Sequence, residues 1–147
     1  MIAKGYKSFE VKMNKLQIIK EGDSYGVIVS FRKSKEIDKL HRLIIKKLNP
    51  LREGHIREIY KDPDYIKRFS KGKRSLIKKI LFEVGYPRAL DAYDPHISIT
   101  RFGSPIWRKD IELPRFNFRR MWIKEIGIFT MGEYGTCRKL IHKFTLK

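Results

Sequence analysis

The chain has 147 residues, 41% hydrophobic and 12% aromatic, enough for one globular domain with a proper core and too apolar for a disordered segment. It carries 34 Lys and Arg against 16 Asp and Glu, a net charge of +18. No apolar run reaches membrane-spanning length and no signal-peptide pattern opens the chain. The single Cys137 rules out an internal disulfide framework and fits a reducing, cytoplasmic compartment.

Residues 7–20 alternate as Phe9, Val11 and Met13, then shift phase to Leu16 and Ile18. This predicts a strand with a bulge or bend near Asn14. Glu21-Gly22-Asp23-Ser24 is a turn, and Tyr25 to Phe31 is a second strand, so the two form a hairpin. Ser34 caps a helix over 35–48, with Ile37, Leu40, Leu43, Ile44 and Leu48 on one face. His41 flanks that stripe, and Asn49-Pro50 stops the helix. Segment 49–72 is irregular and holds Gly54-His55 and Lys61-Asp62-Pro63-Asp64. A second helix is expected over 73–84, with Leu76, Ile77, Ile80, Leu81 and Val84 inward and Gly85 as its C-terminal stop.

The next segment, Asp94-Pro95-His96-Ile97-Ser98-Ile99-Thr100-Arg101-Phe102-Gly103, carries the chemistry. Pro95 biases Asp94 toward extended geometry, and Gly103-Ser104-Pro105 ends the run. A strand sends alternate side chains to opposite faces, so His96, Ser98 and Thr100 are expected on one face. Ile97 and Ile99 would anchor the other face in a core, and Arg101 would follow them unless the strand bends. An imidazole can transfer a proton near neutral pH, and hydroxyls can donate to phosphate oxygens. The same alternation also describes any half-buried strand with a solvated face.

After a loop, a strand is expected over 121–131, then a turn, then a last strand over 138–146. The last strand would put Leu140, His142, Phe144 and Leu146 on one face, with His142 as a satisfied core histidine. The order β-β-α-α-β-β-β predicts an α+β domain: an antiparallel or mixed sheet with two helices packed on one face. One Cys and four scattered His show no metal-ligand spacing, so no zinc site or other cofactor is expected. Cys137 lies beside Arg138 and Lys139 but has no evident base, and no glycine-rich phosphate loop is present.

The basic excess attracts polyanions, and nucleic acid or a nucleotide ranks ahead of a membrane surface. Lys outnumbers Arg 21 to 13, as a coding bias would give, but such bias does not by itself deplete Asp and Glu. Candidate RNA contacts form one cluster at Lys67, Arg68, Lys71, Lys73, Arg74, Lys78 and Lys79. A second lies at Arg115, Arg119 and Arg120. Tyr65, Phe69 and Trp107 are interleaved and could stack on unpaired bases, whereas Phe116 and Phe118 read as core.

Element order and the run Pro95-His96-Ile97-Ser98-Ile99 together resemble the two-histidine phosphoesterase superfamily, which includes RNA 2′,5′-ligase-like proteins and cyclic nucleotide phosphodiesterases. Its signature is two copies of His-x-Thr/Ser-x on adjacent strands, and this run matches one copy. His41, His55 and His142 lack a hydroxyl two residues on, so the second copy is missing. The order of elements over 8–147 is similar to the family's C-terminal half, so the chain is either a piece of a longer protein or has lost the first half.

The resemblance implies a phosphoesterase-like domain acting without metal, its two histidines serving as general base and general acid. His96 would be one of them and Ser98 a phosphate ligand. The second histidine would be His55, or come from a second copy of the chain or from a missing half. Two other readings stay open: a catalytically silent RNA-binding module on the same fold, and a structural component of a ribonucleoprotein or phage.

Overall fold

A computed structural model describes residues 5–21, 24–103, 119–132 and 136–147. In chain order the elements are β1 (Phe9–Glu21), β2 (Ser24–Phe31), α1 (Lys35–Leu48), α2 (Glu58–Lys61) and α3 (Lys71–Val84), followed by β3 (His96–Phe102), β4 (Arg120–Ile123), β5 (Glu125–Met131) and β6 (Cys137–Thr145). Short 3-10 turns cover Asn49–Arg52, Pro63–Arg68 and Leu90–Ala92. The architecture is α+β, and every strand pair is antiparallel. Four strands pair in the order β3-β2-β1-β4, and β5 and β6 form a separate two-stranded ribbon. Among the described residues no helix is long and apolar enough to cross a membrane.

The hairpin of β1 and β2 follows the expected pattern, with the register shifting between Met13 and Lys15 so that Asn14 is the extra residue. The shift keeps one face apolar from Phe9 to Leu16: Phe9, Val11 and Met13 before Asn14, Leu16 after it. Phe9, Val11, Val29 and Phe31 from that face pack with Leu40 of α1 and Leu146 into the main core. Each such buried side chain contributes about 1.5–3 kcal/mol. We call this the inner face and its opposite the outer face.

Helix α1 begins where Ser34 Oγ accepts from the Ile37 amide at 3.3 Å. Glu36 and Asp38 in its first turn, and Lys46 and Lys47 in its last, suit the helix dipole. Helix α3 ends at Gly85, whose φ of 70° is the left-handed conformation that glycine adopts without a Cβ penalty. Arg52 packs over that glycine, where an added Cβ would lie 2.9 Å from its guanidinium.

Four expectations need correction. The two helices do not share the sheet face. Buried Ile80 and Val84 of α3 pack on Ile45 of α1, and Ile77 and Leu81 pack on Ile66, so α3 forms a layer behind α1. Leu76, expected inward, is exposed. The strand over 121–131 is two strands, because apolar positions change phase from Met121 and Ile123 to Ile126 and Ile128. The break falls at Lys124, whose carbonyl accepts from the Leu146 amide at 2.8 Å. His142 is exposed on the ribbon and meets the Phe144 ring edge-on at 4.4 Å.

His41 has a structural task. Its Nε2 accepts the Leu90 amide at 2.9 Å, and its ring stacks on Tyr93 at 3.9 Å and 9°. Because Nε2 accepts, the proton of the neutral ring sits on Nδ1. Arg42 pairs with Asp91, and Lys33 Nζ donates to the Asp91 carbonyl at 3.3 Å. These contacts tie the turn at Leu90–Ala92, the approach to β3, onto the first half of α1. Burial pushes the His41 pKa down, Arg42 and Lys33 push the same way, and Asp38 opposes them. The unfolded chain therefore binds this proton first. Stability is expected to be full above about pH 6.5 and to decline as pH falls below it. Thermal unfolding between pH 7 and 5 checks this, and His41→Leu should flatten the slope.

Candidate functional site

Strand β3 lies at one end of the four-stranded sheet and pairs with β2. Its register sets Ser30 opposite His96, Val29 opposite Ile97 and Ile28 opposite Ser98, then shifts so that Val27 faces Thr100 and Gly26 faces Arg101. Ile99 is the extra residue of a bulge. Directly opposed residues share a face in an antiparallel pair. His96 and Ser98 are therefore on the outer face, as expected. Thr100 is not: the bulge turns it to the inner side and brings Arg101 onto the outer face in its place. Ile97 and Ile99 do not anchor a core. They are 42% and 46% exposed, because α1 packs over β1 and β2 and leaves β3 uncovered.

The His96 ring is held from behind. Its Nδ1 lies 2.8 Å from the Asp94 carbonyl oxygen, and a carbonyl can only accept, so Nδ1 donates. In the neutral ring Nε2 then keeps its lone pair for a proton. Pro95 contributes to the entry, since its carbonyl accepts from the Phe31 amide at 2.8 Å.

Neighbouring strands extend the outer face into rows. Lys15 lies opposite Ser30, whose buried hydroxyl donates to the Lys15 carbonyl at 3.2 Å, giving a row of His96, Ser30 and Lys15. Toward the start of β1, Lys12 lies opposite Arg120, and the Arg32 amide donates to the Lys12 carbonyl at 2.8 Å. Continuing the alternation of β2 puts Arg32 on this face as well. The last row pairs Glu10 with Trp122, which is 57% exposed. Glu10 Oε1 lies 3.5 Å from Arg120 Nη1. The face thus sets Lys12, Lys15, Arg32, Arg101 and Arg120 against Glu10 around an imidazole and a hydroxyl. Such a surface attracts phosphates and can exchange a proton with them.

The other candidate residues fall elsewhere. The His55 amide donates to the Arg52 carbonyl at 2.9 Å, and Arg52 and Asn49 both bond the Glu83 carbonyl. His55 therefore sits where α1 and α3 end. His96 sits beside the strand end that leads into α1, so the helix, about 21 Å long, separates the two histidines. Lys67, Arg68, Lys71, Lys73 and Arg74 belong to the α3 layer, with the sheet and α1 between them and the outer face.

Lys67 pairs with Asp64 at 2.7 Å, and Arg68 lies over the Tyr65 ring at 5.4 Å. Burial, with Tyr60 adding to it, pushes the Tyr65 phenol up to about 12, so that ring stays neutral. Arg74 donates to the Phe69 and Lys67 carbonyls at 3.0 and 3.1 Å, closing the turn before α3. Of the second cluster, Arg120 joins the outer face, and exposed Arg119 accepts the Met13 amide through its carbonyl. Trp107, Arg115, Phe116 and Phe118 lie outside the described residues. Lys12, Lys15, Arg32 and Trp122 were not singled out from sequence. Their signal is the polar half of the strand alternation, which Asn14 interrupts.

No protein-family model matches the chain, and neither a curated protein nor a solved structure shows significant similarity to it.

The two roles for the α3 cations differ in what substitution does. Arg74→Ala is expected to cost about 1–2 kcal/mol of stability, since it strips two carbonyls of their partner. Lys73→Ala should change stability by no more than about 0.5 kcal/mol. Urea denaturation of both variants checks the pair.

Proposed function

We propose that the chain acts on RNA or a nucleotide at the outer face, as a phosphodiesterase of the two-histidine type for which a cyclic phosphate or a 2′-5′ linkage is the substrate. The observation that carries this reading is the anchored imidazole. The Asp94 carbonyl holds Nδ1 and leaves Nε2 for proton transfer, on the face where Ser98 and Arg101 are brought into phase.

On a 2′,3′-cyclic phosphate, water attacks phosphorus and one ribose oxygen leaves. Nε2 of His96 takes the proton of the attacking water, or in its protonated form delivers one to the leaving oxygen. Ser98 Oγ donates to a phosphate oxygen, and the cations of the face stabilise the added negative charge. His96 supplies one of the two proton transfers. The partner transfer falls to solvent water or to a histidine from a second copy of the chain.

A second reading, a silent RNA-binding module on the same face, is favoured by one fact: His96 is the only histidine on the outer face among the described residues. Hydrolysis of 2′,3′-cyclic nucleotides decides between them. Wild type should turn the substrate over, and His96→Ala should be slower by about 10²- to 10⁴-fold. Equal rates for the two would remove the phosphodiesterase reading. RNA binding that survives in His96→Ala and weakens steeply with salt would favour the silent module.

A further inference from the structure

We infer that the outer face takes single-stranded RNA as an extended strand of about four nucleotides, running from a base stacked on Trp122 to a phosphate at His96 and Ser98. This rests on the reading of His96 and Ser98 as the phosphate-handling pair and names the class of ligand that reaches them.

Three observations converge on a linear track. The first is the placing of the cations. Arg120 and Lys12 are directly paired, Arg32 is bonded to Lys12 through its backbone, and Lys15 continues the line to the row of His96. They form a diagonal band across the sheet. A band of fixed charge fits a chain of evenly spaced phosphates better than one compact anion.

The second is the indole at the far end of the band. Trp122 is 57% exposed on a sheet face, where most side chains of that size are covered. Its neighbour across the strands is Glu10, already engaged by Arg120. An exposed indole offers a flat apolar surface that every unpaired base can use. A duplex hides those base faces, so the geometry selects single strands.

The third is length. His96 and Trp122 are three strands and two outer-face rows apart, a diagonal of about 20 Å. A mononucleotide seated at His96 does not reach Trp122. A strand of about four nucleotides does, and that matches the smallest footprint of sheet-based single-strand binders, about four nucleotides. The charge balance argues for RNA as well, because a chain of net charge +18 attracts a polyanion.

The test is binding of fluorescein-labelled oligouridylates of one to eight nucleotides, followed by anisotropy at fixed ionic strength. Affinity should climb up to about four nucleotides and then level off. Trp122→Ala should weaken the tetranucleotide by about tenfold or more, Trp122→Phe by much less, and uridine monophosphate by under about twofold. Lys12→Gln and Arg120→Gln should each reduce the salt slope of tetranucleotide binding by about 0.7.

Affinity that does not depend on length, or tetranucleotide binding that Trp122→Ala leaves unchanged in a variant folded by circular dichroism, overturns the track. Self-association that Trp122→Ala abolishes, without RNA binding, assigns the face to protein contact and overturns it too. Cyclic-nucleotide hydrolysis with flat length dependence removes the track and leaves the phosphodiesterase. A Trp122-dependent length effect without hydrolysis keeps the track and removes the phosphodiesterase.

Discussion

Strand β1 is the constraint on which the rest depends. Its first half pairs with β4 and its second half with β2, so one segment of 13 residues joins both sides of the sheet. A strand of that length twists, and an unbroken alternation would carry its apolar residues out of line with the core. The extra residue Asn14 resets the count where the partners change. The inner face stays apolar from Phe9 to Leu16 under α1, and the outer face stays polar from Glu10 to Gln17. The cations of the outer face are thus a by-product of the same phase change that closes the core.

The site is carried by contacts that belong to the fold. His41, Arg42 and Lys33 grip the turn at Leu90–Ala92, which sets where the chain enters β3. The Pro95 carbonyl joins β2 at Phe31, and the Asp94 carbonyl orients the ring of His96. Two histidines therefore have opposite assignments set by one hydrogen bond each. His41 accepts a backbone amide at Nε2 and is committed to structure. His96 gives Nδ1 to a backbone carbonyl and keeps Nε2 for solvent.

Much of this was legible in the sequence where local rules decide the outcome. The Ser34 cap, the Gly85 stop and the phase change at Asn14 are signals within a few residues, and each element they predict is present. That His96 and Ser98 share a face was legible for the same reason. What escaped were facts set by distant partners. Thr100 and Arg101 exchanged faces because Ile99 bulges against β2, which the alternation of β3 does not reveal. The phase slip from Ile123 to Ile126 is visible in the chain, but the break at Lys124 is fixed by the distant Leu146 amide. The cations at Lys67–Arg74 stood out by density, while Lys12, Lys15 and Arg32 are spread over two strands and become neighbours only when the sheet forms.

The bulge at Ile99 has a consequence for solubility. A strand at the end of a sheet, with Ile97 and Ile99 open to solvent, is a template onto which another chain can add by backbone pairing. An extra residue in mid-strand twists that edge and breaks the regular spacing of its amides and carbonyls, so an incoming strand finds no continuous ladder. The residue that turns Arg101 toward the outer face therefore also works against fibrous stacking. Straightening β3 would both return Arg101 to the inner side and offer an incoming strand a continuous ladder.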